Sequence, residues 1–178
     1  RDLLPAIRGV TQDEMPGYLS LVPTQLVQCL DAGEEVVDAM RSLSAVLVGG
    51  AAISQHLLER ALNAGLKVRI TYGMTETSGG CVYDGEPMPG MTVRAVDWDG
   101  RTRLAFNGPT LMTRYLDAES PFFEEGGHRW LISGDMGVIR ASGKVEVNGR
   151  ADDVITSGGL SIAPGPLRRA VRSYEGIS

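Results

Sequence analysis

Residues 44–76 read SAVLVGGAAISQHLLERALNAGLKVRITYGMTE. The stretch opens with a short run of Ala, Val and Leu that ends in glycine, the pattern of a buried strand. Ser54 can cap the segment that follows, in which Leu57, Leu58, Ala61 and Leu62 form one apolar stripe and Gly65 can end the helix. KVRITYG (67–73) then returns to strand character. Strand, helix and strand at this spacing make a crossover unit, so the two strands are expected to be parallel. Parallel neighbours end on the same edge of a sheet, and ligands of open α/β sheets bind beyond that edge. The loops GGAA (49–52) and YGMTE (72–76) are therefore expected to open toward one cleft.

Upstream, PTQLVQCLDAG (23–33) predicts a helix with Thr24 as cap and Gly33 as terminator, and EEVVDAMRSL (34–43) predicts another with acids in its first turn. Downstream the pattern changes to short strands separated by Gly, Pro and Asp turns. MTVRAVDWDGRTRLAF (91–106) predicts a hairpin turning at Asp99-Gly100. HRWLIS (128–133), MGVIR (136–140) and KVEVNG (144–149) read as further strands, the last two joined by the turn ASGK. Residues 159–178 begin a new unit, with Pro164 or Pro166 in the first turn of a helix. The expected fold class is α/β, a parallel sheet with flanking helices, beside a small antiparallel β-barrel or sheet. The expected divisions are 1–82, 83–149 and 150–178.

Composition narrows the function classes. The 178 residues are 43% hydrophobic and carry a net charge of -5, with no run of Lys or Arg of the kind a nucleic-acid binder presents. Arg168, Arg169 and Arg172 read as a solvated helix face. Cys29 and Cys81 stand far apart with no CxxC or Cys/His pair, which argues against structural zinc and demands no disulfide. No stretch approaches a membrane-spanning length, and RDLLPAIRGV lacks the apolar core of a signal peptide. The expectation is a cytoplasmic protein with no nucleic-acid or membrane partner.

Three segments combine residue types that suit chemistry. TYGMTETSGG (71–80) packs Gly73, Gly79 and Gly80 with Tyr72, Thr75 and Glu76. Its glycines let backbone amides approach phosphate or carboxylate oxygens, and Thr75 adds a hydroxyl donor. Glu76 repels phosphate unless a cation lies between, and Mg²⁺ suits that place because it takes one or two carboxylates plus phosphate oxygens. Tyr72 offers a flat face for a base. In ISGDMG (132–137), Asp135 can accept from both hydroxyls of a ribose. In VNGRADDVITSGGLSIAP (147–164), Arg150 brings a planar fork of donors, followed by Asp152 and Asp153, and Gly158 and Gly159 allow a thin ligand to pass. Each segment also has a plain alternative: a tight surface turn, an ordinary turn aspartate between two strands, a charged linker. His56 and His128 read as surface and strand-edge residues, and Trp98 and Trp130 as packing residues.

The order LVGGAA, TYGMTE, SGD, GRADDVITSGG over roughly residues 45–164 resembles the adenylate-forming family that includes acyl-CoA synthetases, firefly luciferase and peptide-synthetase adenylation domains. The longer run YGMTETSGGCVYDGEPMPGM (72–91), with LVPTQL (21–26), is most similar to the actinobacterial branch of o-succinylbenzoate–CoA ligases, enzymes of menaquinone biosynthesis. The resemblance implies an acid–thiol ligase: a carboxylate attacks the α-phosphate of ATP, giving acyl-AMP and pyrophosphate, and CoA displaces AMP. ATP or AMP, Mg²⁺ and CoA would be its cofactors and co-substrates and a small carboxylic acid its substrate, with a homodimer left open.

By position, Tyr72 would stack on adenine, and Gly49, Gly50, Ala51, Gly73 and Met74 would line the nucleotide or acyl pocket. Thr75 would hold phosphate and Glu76 the Mg²⁺, these two being the catalytic residues. Asp135 and Arg150 would hold the ribose, Ser78, Gly79 and Gly80 would meet the acyl group, Asp152 would be a hinge, and Gly158 and Gly159 would flank the CoA channel. Ser133 stands where the family often has Thr, Pro166 where Glu is common and Thr156 where Lys is common. The family's upstream phosphate loop and far C-terminal Lys fall outside these residues, so the 178-residue chain alone is expected to adenylate poorly. A ligase for another aryl or fatty acid, a non-catalytic nucleotide-binding fragment and an unrelated flavodoxin-like domain are the competing readings. A panel of acids, AMP binding without turnover, and indifference of Mg·ATP affinity to Glu76→Gln would respectively mark them.

Overall fold

In the computed structural model, which describes residues 3–10, 16–157 and 160–162, the crossover read from residues 44–76 is present. The chain divides into two units, 1–71 and 72–178. The first unit contains α1 (Leu3–Val10), β1 (Tyr18–Leu21), α2 (Pro23–Asp31), α3 (Glu34–Arg41), β2 (Ala45–Val48), α4 (Gln55–Asn63) and most of β3 (Val68–Met74), which runs across the boundary. Strand β2 pairs in parallel with β1, Tyr18 opposite Ala45 and Leu21 opposite Val48. It also pairs in parallel with β3, Val46 opposite Val68 and Val48 opposite Ile70. Both partners of β2 are parallel, so it is buried on both faces, which is why its four residues carry no polar side chain.

The helices cover these strands with their apolar stripes. Leu26 and Cys29 of α2, Val37 and Met40 of α3, and Leu57 and Ala61 of α4 join Val46 and Val48 in one core. Ser54 caps α4, its Oγ accepting from the Leu57 amide at 3.2 Å. Gly65, at φ +79°, ends it in a conformation that suits glycine. Two expectations shift. Leu62 is 50% exposed because it lies at the edge of the face that Leu57 and Ala61 share. Helix α2 is capped by Val22 rather than Thr24: Pro23 needs no amide partner and its fixed φ suits the first helical position, so the helix starts two residues early. The Gln25 side chain accepts from the Val22 amide at 2.9 Å. Ala32 closes α2, and Gly33 at φ +106° instead opens α3.

The second unit holds β4 (Gly79–Tyr83), β5 (Glu86–Pro87), β6 (Thr92–Trp98), β7 (Arg101–Asn107), β8 (Phe122–Glu125), β9 (His128–Ile139), β10 (Val145–Arg150), β11 (Ile155–Ser157) and β12 (Leu160–Ile162). An antiparallel sheet runs β10-β9-β7-β6, with β8 also paired to β9. The β6–β7 hairpin turns at Asp99-Gly100, both at positive φ, with Trp98 opposite Arg101. The expected strands 128–133 and 136–140 are instead one continuous strand, β9, and Asp135 lies within it. Gly134 and Asp135 are poor strand formers and lie where the register with β7 shifts, yet β10 holds them: Arg150 pairs with Asp135, and the Ala151 amide donates to the Gly134 carbonyl.

Phe106, Leu104, Leu131, Cys81 and Val82 form this unit's main core, and Trp130 packs with Ala105 and Ile132 in a smaller one, under the guanidinium of Arg94 at 3.9 Å from the ring centroid. Both cysteines are free and buried, and burial pushes each thiol's pKa up. Among the described residues no helix is long and apolar enough to cross a membrane. The segment expected to form a helix near Arg168–Arg172 lies outside the described residues.

Candidate functional site

Tyr72 is the first residue of the second unit. Its ring stacks on the fully buried Phe106, centroids 5.8 Å apart and planes inclined by 21°. Its hydroxyl donates to Asp135 Oδ2 at 2.6 Å. Burial first, then the neighbouring carboxylate of Asp135, raise the tyrosine's pKa far above its ordinary value, so it stays a neutral donor. Asp135 is held in turn by Ser133, whose buried hydroxyl accepts from the Asp135 amide at 3.1 Å and donates to the Leu104 carbonyl at 2.9 Å. A buried hydroxyl satisfied on both sides fixes the strand where it carries the carboxylate.

Arg150 ends β10 directly opposite Asp135 in the register. Its guanidinium lies over Gly134: a Cβ there would meet Nη2 at 2.7 Å and Cζ at 3.1 Å. A Cβ at 134 would therefore push the guanidinium of the exposed Arg150 side chain aside from this place. Arg150 also donates to Asp152 Oδ2 at 3.3 Å, and Asp152 first, then Asp135, raise its pKa. Between them Ala151 is fully buried, its amide bound to the Gly134 carbonyl at 2.8 Å, so the chain is anchored one residue before the exposed Asp152. Tyr72, Asp135 and Arg150, expected from far-apart segments, thus stand together in one unit.

The loop after Tyr72 is built around a buried threonine. Residues Thr75–Thr77 form a single 3₁₀ turn, Ser78 adopts φ +56° and Gly79 φ +107°. The Thr77 hydroxyl accepts from the Met74 amide at 3.0 Å and reaches the Gly79 carbonyl at 2.8 Å, closing the loop on itself. A Cβ on Gly73 would fall 1.9 Å from the Gly79 carbonyl oxygen, so only glycine permits this crossing of backbone. The turn leaves Thr75 exposed and Glu76 half-buried. The loop is tied down through the Met112 amide, which donates to the Glu76 carbonyl at 2.8 Å, and through Ser78 Oγ, which donates to the Thr110 carbonyl at 2.9 Å. Gly80 leaves room for Tyr83, whose hydroxyl a Cβ there would meet at 2.7 Å.

The Glu76 carboxylate accepts a hydrogen bond from the hydroxyl of Tyr115. That bond, more than burial, raises the pKa of Tyr115. Tyr115 and Thr75 share the wall of an open cavity of about 500 Å³, completed by Met112 and the run 114–118. No group of three or more His, Cys, Asp or Glu side chains gathers among the described residues. One carboxylate beside an exposed hydroxyl and an open cavity fits Mg²⁺, which takes most of its oxygens from water and phosphate. Thr77, Phe106 and Tyr115 were not singled out by the sequence. The first sits inside a motif read for its exposed groups, and the other two come from distant stretches whose local pattern shows only strand and loop.

Gly49, Gly50 and Ala51 belong to the first unit, beyond the carboxyl end of β2. A Cβ on Gly49 would meet Thr71 Oγ1 at 2.2 Å, and Gly50 sits at φ +74°. Gly158 and Gly159 lie outside the described residues.

The sequence model for AMP-binding enzymes matches residues 2–116. The probable 2-succinylbenzoate–CoA ligase of Mycobacterium tuberculosis is 38% identical over 164 residues, 90% of this chain and 41% of that protein. The o-succinylbenzoate CoA synthetase of Bacillus subtilis, solved in complex with the acyl-adenylate intermediate OSB-AMP, superposes with a TM-score of 0.79 at 25% identity, covering 100% of this chain and 40% of that one. The same synthetase in complex with ATP and magnesium ion superposes equally well, TM-score 0.79. The chain thus spans about two fifths of the length of these relatives.

Proposed function

The chain belongs to the family of AMP-binding enzymes, and from that premise we propose that it serves an acid–CoA ligase whose acid is 2-succinylbenzoate, the reaction its relatives in menaquinone biosynthesis are named for. The observation that carries the reading is the meeting of Tyr72, Asp135 and Arg150.

Tyr72, backed by Phe106, presents its other face to adenine. Asp135 has Oδ2 engaged by Tyr72 and Oδ1 left to accept from ribose hydroxyls, with the Arg150 fork beside it. Thr75 donates to phosphate oxygen, and Glu76 would hold Mg²⁺, which would supply positive charge to the polyphosphate. The acid's carboxylate oxygen then attacks the α-phosphorus as the bond to pyrophosphate breaks, and charge building on phosphorus is met by donors already in place. In the second half-reaction the CoA thiolate attacks the acyl carbon and AMP leaves, the thiol proton going to solvent. Gly73 and Met74 line the pocket, and Ser78, Gly79 and Gly80 face the acyl group. Asp152, exposed just past the buried Ala151, is the hinge between the two half-reactions. Gly158 and Gly159 flank the path of CoA.

The test is thioester formation by the full-length protein with ATP, Mg²⁺, CoA and a panel of acids. Release of AMP with 2-succinylbenzoate, well above that with fatty or other aryl acids, is the expected outcome. AMP binding with no thioester from any acid would reduce the protein to a nucleotide-binding module.

A further inference from the structure

Resting on that reading, we infer that Tyr115 is the positioning residue for the cation ligand: its hydroxyl fixes the Glu76 carboxylate so that one oxygen faces the metal shared with ATP. The loop's backbone does not need Tyr115, since the Met112 amide and Ser78 Oγ already hold it. The tyrosine acts on the carboxylate alone. It donates to Oε1, the only thing a phenol can do toward an ionised acid, and leaves Oε2 as the remaining acceptor. Tyr115 is itself held in place, its amide donating to Ser120 Oγ at 2.8 Å. Both Tyr115 and Thr75 line the same open cavity, and Glu76 stands next to Thr75 in the chain and is bound to Tyr115 on that wall. A carboxylate left to rotate would lose part of its affinity for a cation that demands near-octahedral geometry.

The experiment measures Mn²⁺ affinity by electron paramagnetic resonance in the full-length protein saturated with ATP. Tyr115→Phe removes one oxygen and is expected to weaken Mn²⁺ by about tenfold, the usual size for loss of a group that orients a ligand. ATP binding in EDTA and the melting temperature stay as in the parent. Glu76→Gln weakens Mn²⁺ further, and adding Tyr115→Phe to it changes nothing more, because the hydroxyl works only through the carboxylate. Parental or tighter Mn²⁺ binding by Tyr115→Phe, or an equal penalty in the Glu76→Gln background, overturns the inference while leaving the ligase reading intact. Parental Mn²⁺ binding by Glu76→Gln overturns the inference and the proposed metal role of Glu76 together.

Discussion

In the first unit the deepest side chains are Leu26, Met40, Leu43, Val46, Val48 and Ala61, all apolar; in the second, Phe106, Leu104 and Leu131 share the interior with the hydroxyls of Thr77 and Ser133. The ion pairs of the first unit, such as Arg8–Glu35 and Arg60–Asp31, lie at the surface, where they contribute little. The polar groups of the second unit are tied to its core: Phe106 supports Tyr72, and Ser133 supports Asp135. One unit is a scaffold whose polar groups face water, while the other uses its interior to aim polar groups. Changes to the core and helix caps of the first are therefore expected to alter stability alone, and changes to the core and the polar groups it aims in the second to reach ligand binding.

Core truncation tests this most severely. Leu26→Ala should cost about 2–5 kcal/mol and Phe106→Ala about 3–5 kcal/mol in urea unfolding. Among the molecules that remain folded, only Phe106→Ala should weaken AMP in calorimetry; equal loss in both variants would erase the contrast. Asp135→Asn comes next. Its amide oxygen still accepts from Tyr72, so stability should change little, but AMP affinity should fall by about 1.5–3 kcal/mol as charged hydrogen bonds to the ribose are lost. The matching change in the first unit is smaller. Ser54→Ala removes the cap of α4 and should cost about 1 kcal/mol of stability with AMP affinity unmoved.

The least effect at neutral pH comes from Tyr72. Its folded pKa is raised, mainly by burial, above the 10.0 of an unfolded tyrosine. Below that value both states keep the proton and the full stability is present. Above it the unfolded chain gives up a proton that the folded chain retains, so stability falls as pH rises. The alkaline slope of unfolding free energy should be shallower in Tyr72→Phe, and an unchanged slope would mean that the phenol ionises freely in the folded protein.

What could be read ahead of the structure was whatever rests on neighbours in the chain. Asp99-Gly100 marks its own turn, Ser54 its own cap, and the run Ala45–Val48 its burial between parallel partners. Position 135 shows the limit. Glycine followed by aspartate reads as a turn, and only pairing with β10, set by residues elsewhere, draws it into β9. Val22 displaced Thr24 as a cap because proline chemistry outranked a hydroxyl one residue later. Tyr115 lies 39 residues from Glu76 in an irregular stretch, and no periodicity links the two. The types of residue at the candidate site were legible, whereas the groups that orient them were not.

The bare α-carbon at Gly134 has a practical corollary for engineering this fold. The Arg150 fork rests in the room beside that carbon, and as the exposed end of a flexible side chain it would swing outward if a side chain claimed the space. A substitution to alanine, harmless by most conservative scoring, would shift a cation on the neighbouring strand without altering its chemistry. Libraries meant to retune nucleotide preference should leave that position fixed and vary its neighbours instead.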